Sequence, residues 1–218
     1  MGLFGVATVT VAAACSATTG ATAGSMPSSR VSSPDQAARA DSVRHSYTPA
    51  DVEFMTGMIH HHGQALVMAR MAPTHGASGS LQVLAERIIS GQNDEIALMQ
   101  QWLRDRNEPV PEPAPADMAM TMHGDDHAMH MPGMLSDEQL EKLDAARGGE
   151  FDRLFLTYMI QHHQGALTMV NELFSTYGAG QGDAIFRLAS DIGADQASEI
   201  ARMRSMLREI MFETVNSP

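Results

Sequence analysis

The sequence predicts an all-α protein, a four-helix bundle in which two duplicated helical hairpins pack with antiparallel neighbours. A phrase that occurs twice is the first reason. Residues 51 to 69 read DVEFMTGMIHHHGQALVMA and residues 152 to 170 read DRLFLTYMIQHHQGALTMV. At a constant offset of 101 they share Asp51/Asp152, Phe54/Phe155, Met58/Met159, Ile59/Ile160, His61/His162, His62/His163, Ala65/Ala166, Leu66/Leu167 and Met68/Met169. A second echo follows each copy, LAERIISGQNDEIALMQQWL (84–103) against LASDIGADQASEIARMRSML (188–207), in which Gln92/Gln196 and Glu95/Glu199 coincide along with five apolar positions. The third reason is spacing: the bends at His75–Gly79 and Gly178–Gly182 are short enough to fold each pair of helices back on itself. One unit alone would leave its apolar faces uncovered, so the repeats are expected to form one packed domain.

Taken in order, residues 3–14 (LFGVATVTVAAA) form an apolar run of 12, too short to span a membrane and the length of a signal-peptide core. The run ends at Cys15, the only cysteine. Small residues before it and a Ser/Thr/Ala/Gly stretch after it resemble a bacterial lipoprotein signal in which Cys15 is lipidated after cleavage. Ala12 stands where such signals carry Leu, and no Lys or Arg precedes the run. Residues 1–15 are thus read as a signal and anchor segment and 16–46 as a flexible tether. This predicts export and lipid anchorage on the outer side of the cytoplasmic membrane. A lone cysteine makes no intrachain disulfide and gives no compartment of its own.

The packed domain is expected over 47–211, with repeat one at 47–106, a Met/His-rich linker at 107–135 and repeat two at 136–211. Thr48 is a good N-cap, with Pro49 at the first helical position and Asp51 completing a T-x-x-D capping box; Pro73 closes this helix. A second helix runs from about Ser80 to Arg106, where EPVPEPAP (108–115) stops it. Ser136 with Gln139 caps a short helix to about Ala146, and Gly148-Gly149 breaks the chain. Two further helices are predicted over about 150–176 and 183–211.

Composition excludes several classes. With 26 acidic against 14 basic residues and a net charge of −12, the chain lacks the basic footprint of a nucleic-acid or anionic-lipid binder. Contact with a membrane is expected only through a lipid anchor. Residues 108–150 carry ten acidic residues against Lys142 and Arg147. No nucleophile constellation, phosphate-cradling Gly loop or acid–base pair at catalytic spacing is present, so no enzymatic activity is expected. Eighteen Met against one Trp, three Tyr and seven Phe is an unusual balance, because cores ordinarily use Met sparingly as a gap-filler.

On the first helix Asp51, Phe54, Met55, Met58, His62 and Ala65 share an apolar stripe, with His61 at its edge and Met68 further round. The fourth helix of the sequence repeats this with Met159, His162, His163 and Met169. Gln92 and Glu95, and likewise Gln196 and Glu199, fall among apolar positions of their helices. Folding each hairpin at its bend brings Glu95 within reach of His62 and Glu199 within reach of His163. Buried charges must be paired, hydrogen-bonded or metal-bound. A His–Glu hydrogen bond that fixes helix register, with Met as filling, and a metal site are both consistent with these positions.

The linker is different. Met118, Met120, Met122, Met129, Met131 and Met134 are interleaved with His123, His127 and His130 among Gly, Pro and Asp, where no helical stripe exists to bury them. Exposed thioethers gain nothing from water. Thioether sulfur is a soft ligand suited to Cu(I), and imidazole serves either copper oxidation state.

At the paired M-I-x-H-H-x-x-A-L-x-M phrases, with the FDRLFL lead-in of the second copy, the chain resembles the bacterial family catalogued as domain of unknown function 305. The resemblance covers about residues 47–211, interrupted by the Met/His segment. It implies a ferritin-like four-helix bundle, usually exported, with members implicated in binding copper or silver outside the cytoplasm. It also implies Met58, His61, His62, Met68, Met159, His162, His163 and Met169 as candidate metal ligands. His60 is an addition, since its counterpart is Gln161. The expectation is an exported protein that sequesters or passes on copper, with Cu(I) favoured and Ag(I) as a second cargo. An envelope copper transporter or oxidase would be its partner. Two rival expectations are a ferritin-like di-metal oxidoreductase using Asp51, Glu95, Asp152, Glu199, His62 and His163, and a metal-free envelope scaffold. The first wants Glu-x-x-His, whereas Asp51 and His62 are eleven residues, or roughly 16 Å, apart.

Overall fold

The computed structural model describes residues 47–113 and 131–216, with side chains as far as Phe212. Cys15, the tether, and Met118, Met120, Met122, His123, His127, Met129 and His130 of the linker lie outside the described residues. Among the described residues there are five helices and no strand: α1 (Pro49–Met71), α2 (Gly79–Arg104), α3 (Asp137–Ala145), α4 (Gly149–Ser175) and α5 (Asp183–Asn216). The local signals work as read. Thr48 and Asp51 close a full capping box on α1, and Ser136 and Gln139 close another on α3. Ser78, two residues before the expected start, caps α2 by accepting from the Leu81 N–H. Gly148 enters α4 at φ +60, and its N–H donates to the His75 carbonyl at 2.9 Å, tying the start of the second repeat to the bend of the first.

α1 packs on α2 and α4, α5 packs on α4 and α2, and α3 lies against α4 and α1. The apolar residues form two clusters rather than one. The first gathers Ala65 to Ala72 of α1, Leu81 to Ile88 of α2, Phe151 to Met159 of α4, and Ile200 and Met203 of α5. The second gathers Phe54 to Ile59 of α1, Ile96 to Leu103 of α2, Ala166 to Leu173 of α4, and Ile185 to Ile192 of α5. Between them every long helix contributes buried polar side chains at the same level: His61 and His62, Gln92, His162 and His163, and Gln196. The start of α1 therefore meets the ends of α2 and α4, and the start of α4 meets the end of α1.

The two repeats lock each other through their first aspartates. Asp51 is buried, and its carboxylate accepts from the Gly180 N–H in the bend of repeat two at 2.7 Å, besides the Thr48 N–H at its own N-cap. Asp152 is also buried and accepts from the Ser78 N–H in the bend of repeat one at 3.2 Å. These bonds count against the rival di-metal expectation, which needed Asp51 and Asp152 beside Glu95 and Glu199. Each aspartate is engaged by backbone donors beside a different apolar cluster, away from the polar level. Hydrogen bonds to charged groups contribute about 1.5–3 kcal/mol. Asp51→Ala and Asp152→Ala are each expected to lower unfolding free energy by about 1–3 kcal/mol in urea titrations, Asp51→Ala more because it also loses its cap.

Candidate metal centre

The polar level is built mainly from imidazoles. His61, His62, His162 and His163 each have no solvent exposure. His61, expected at the edge of its stripe, is as buried as His62, because α4 rather than solvent faces it: the rings of His61 and His162 lie 3.8 Å apart between centroids, tilted by 36°. His62 donates from Nε2 to Glu95 Oε2 at 2.6 Å, and His163 donates from Nε2 to Glu199 Oε2 at 2.7 Å. His61 donates from Nε2 to the Pro132 carbonyl at 3.0 Å.

In a neutral ring each of these bonds fixes the tautomer. An Nε2 that donates leaves Nδ1 with its lone pair, and Nδ1 of His61, His62 and His163 is buried without a partner. In His162 neither nitrogen makes a hydrogen bond. Burial, then the electrostatic effect of the adjacent His62, pushes His61 down to about 3, against the raising effect of the bond to Pro132. His162 is held well below 6.5 by burial first and then by His61, His163 and His62, with the nearby His61 backbone opposing. Both rings are neutral near pH 7, the state in which imidazole binds metal.

The methionines behave otherwise. Met58, Met68 and Met159 are fully buried and Met169 is 8% exposed. Met58 and Met169 belong to one apolar cluster, Met68 and Met159 to the other. Burying such a side chain contributes about 1.5–3 kcal/mol, so packing accounts for them without any ion. Within one helix Met58 and Met68 are about 15 Å apart and cannot share an ion. Met131 and Met134 correct the expectation of exposed linker thioethers: both are half-buried, and Met131 packs against the second cluster. Among the described residues no three His, Cys, Asp or Glu side chains are grouped to hold a metal. The donors that stand together at this level are imidazole nitrogens, ligands that serve either copper oxidation state.

Sequence reading missed the acidic rim. The Asp195 carboxyl is raised by burial and then by Glu95, Glu199 and Asp191, so Asp191 and Asp195 of α5 add their charge to that of the two glutamates already paired with histidine. The signal was available in the helical spacing of Asp191, Asp195 and Glu199.

The family model described as a domain of unknown function (DUF305) matches residues 51–207. The chain belongs to this family. No curated protein matches the sequence. Solved structures do. A DUF305 fragment from Deinococcus radiodurans is 29% identical with a TM-score of 0.62, over 75% of this chain and 98% of that one. A DUF305 protein described as secreted, from Streptomyces coelicolor, is 28% identical with a TM-score of 0.61, over 74% and 93%. CopM in its Cu(II)-bound form is 31% identical with a TM-score of 0.57, over 73% and 96%, and CopM has also been solved with Cu(I) and with Ag.

The neutral histidines give this DUF305 chain a defined acid response. Their pKa is depressed on folding from 6.5, so the unfolded chain binds more protons between pH 6.5 and about 3. Stability conferred by His61 and His162 is therefore whole above pH 6.5 and declines as pH falls through that window. Denaturant unfolding from pH 7 to 4 is expected to show this decline, and His162→Leu to flatten it.

Proposed function

We propose that the chain binds Cu(I), and Ag(I) in the same way, outside the cytoplasm, and sequesters it or passes it to an envelope protein. The observation that carries this reading is His162, an imidazole with no solvent exposure whose two nitrogens meet no partner in hydrogen-bond geometry. Leaving a buried polar group unsatisfied costs about 1–3 kcal/mol, so a fold that keeps His162 in this state and leaves Nδ1 of three further imidazoles unpartnered is better explained by a ligand than by packing. Glu95 and Glu199 supply what metal-binding histidines ordinarily have, a carboxylate on the far ring nitrogen that holds the tautomer. The acidic rim favours approach of a cation. CopM, similar over nearly three quarters of this chain, has been solved with Cu(I), Cu(II) and Ag.

In this reading the four long helices make a ferritin-like antiparallel bundle of two duplicated hairpins, serving as a container and not as an enzyme. Cys15 anchors it by lipid to the outer side of the cytoplasmic membrane. A copper transporter or oxidase of the envelope is the natural exchange partner. Thermal unfolding with Ag(I), or with Cu(I) under a reductant, tests the reading. A ligand at 100 times its Kd stabilises the folded state by about 2.7 kcal/mol, so Tm should rise by several degrees. His162→Leu/His163→Gln should lose most of that rise. A Tm indifferent to saturating Ag(I) and Cu(I) would instead favour a metal-free scaffold.

A further inference from the structure

The bends of the two hairpins differ in what they show to solvent. Counted from the shared phrases, Phe174 stands where repeat one has Pro73, and Phe186 stands where it has Gln82. Between them the longer bend of repeat two carries Tyr177, whereas Thr74–Ser80 of repeat one holds no Phe, Tyr or Trp. Tyr177 is fully exposed, Phe186 is 54% exposed and Phe174 38%. The rings of Phe174 and Phe186 lie 5.5 Å apart between centroids, so α4 and α5 present one aromatic surface. A Cβ at Gly180 would stand 2.9 Å from Phe174 Cδ1, so glycine lets the bend lie against that ring. Scattered apolar side chains on a surface are ordinary, but adjoining aromatic rings mark a contact.

The N-terminal part of the chain enters at this same end. The Gly180 N–H donates to Asp51, and a Cβ at Gly178 would meet Thr48 Cγ2 at 3.8 Å. Residues 1–46 therefore join the bundle at Tyr47, beside the aromatic bend. The bend of repeat one, with Ala72 and Ala77 in the other apolar cluster, lies at the opposite end. Charge beside the rings is mixed, with Glu172, Asp183 and Arg187 all exposed, so nothing there selects an anionic headgroup. Aromatic side chains with an apolar body, and in Tyr a polar tip, suit the headgroup level of a bilayer.

The geometry points to a membrane-seating surface: Phe174, Tyr177 and Phe186 rest on the zwitterionic headgroup layer beneath the bundle, with the bend of repeat two toward lipid and that of repeat one away from it. This rests on the reading of Cys15 as a lipid anchor and adds a second, apolar contact that fixes which end faces the bilayer. Two membrane attachments together hold a protein that either alone would release.

Fluorescence of the full-length chain on phosphatidylcholine vesicles containing lipid brominated near the headgroup tests it. A reporter at Tyr177→Trp should be quenched and one at Thr74→Trp, in the exposed bend of repeat one, should not; the parent chain, whose Trp102 is 5% exposed, is the blank. Phe174→Ser/Phe186→Ser should raise the lipid concentration needed for quenching at 177 about 10- to 100-fold. Phe186→Ser alone should act in the same direction, in case loss of Phe174 disturbs the bend. Added salt should not weaken the quenching, nor anionic lipid strengthen it. Quenching at both reporters alike, or at neither, would overturn the proposal. So would a reporter at 177 whose emission shifts with protein concentration in the absence of lipid, the mark of a second copy on the surface. A reporter shielded without lipid at every dilution would mean that the apolar run 3–14 covers it, and would overturn it too. Cys15→Ser should leave vesicles more readily while keeping the contrast between 177 and 74; that contrast with wild-type retention would end the anchor reading and support the aromatic one.

Discussion

Burying four imidazole rings at one level of a helical core obliges the chain to satisfy or occupy every ring nitrogen. Three Nε2 atoms are satisfied, by Glu95, Glu199 and the Pro132 carbonyl. The remaining lone pairs point into an interior that water does not reach. The rest of the fold is consistent with that constraint. Apolar clusters above and below hold the four long helices in register, so the histidines of α1 and α4 meet. The carboxylates that pair with His62 and His163 sit on the outer helices of the seam, 13% and 24% exposed, where water still solvates part of their charge. Polar residues at the centre would destabilise an ordinary bundle; here two well-packed cores offset them.

Duplication explains most of the architecture, the histidine–glutamate pairs included. Asp51 and Asp152 keep their equivalence, each accepting from the bend of the other repeat. The histidine–glutamate pairs also keep it. Equivalence fails where Gly63-Gln64 of the first repeat is Gln164-Gly165 in the second: Gln64 holds the Leu135 backbone on α1, and Gly165 leaves room for the Pro132 carbonyl on α4.

Much of this was legible in one dimension. Capping boxes at Thr48 and Ser136, breakers at Pro73 and Gly148, and a stripe of period 3.6 depend on residues within a turn or two of each other. The pairing of His62 with Glu95 was legible too, because a short bend fixes which levels of two helices face each other. His61 was placed at an edge because one helix knows nothing of what covers its flank. Asp51 and Asp152 could enter a rival di-metal reading for the same reason: an inward-facing carboxylate looks alike whether it meets a metal or a backbone N–H. Met131 looked exposed because a segment without periodicity gives no sign of the groove it enters.

By itself, then, the order of residues determined the five helices, their limits, the internal repeat and the chemical kind of donor placed at each level, since all of these follow from local capping and from spacing along a helix. Contact between His61 and His162, exchange of the aspartates between bends, and packing of Met131 against the second apolar cluster were decided only when four helices and the segment 131–135 closed on one another. Those contacts join residues roughly 40 to 130 positions apart, whose distance in space is set by packing of every intervening side chain rather than by any rule of sequence.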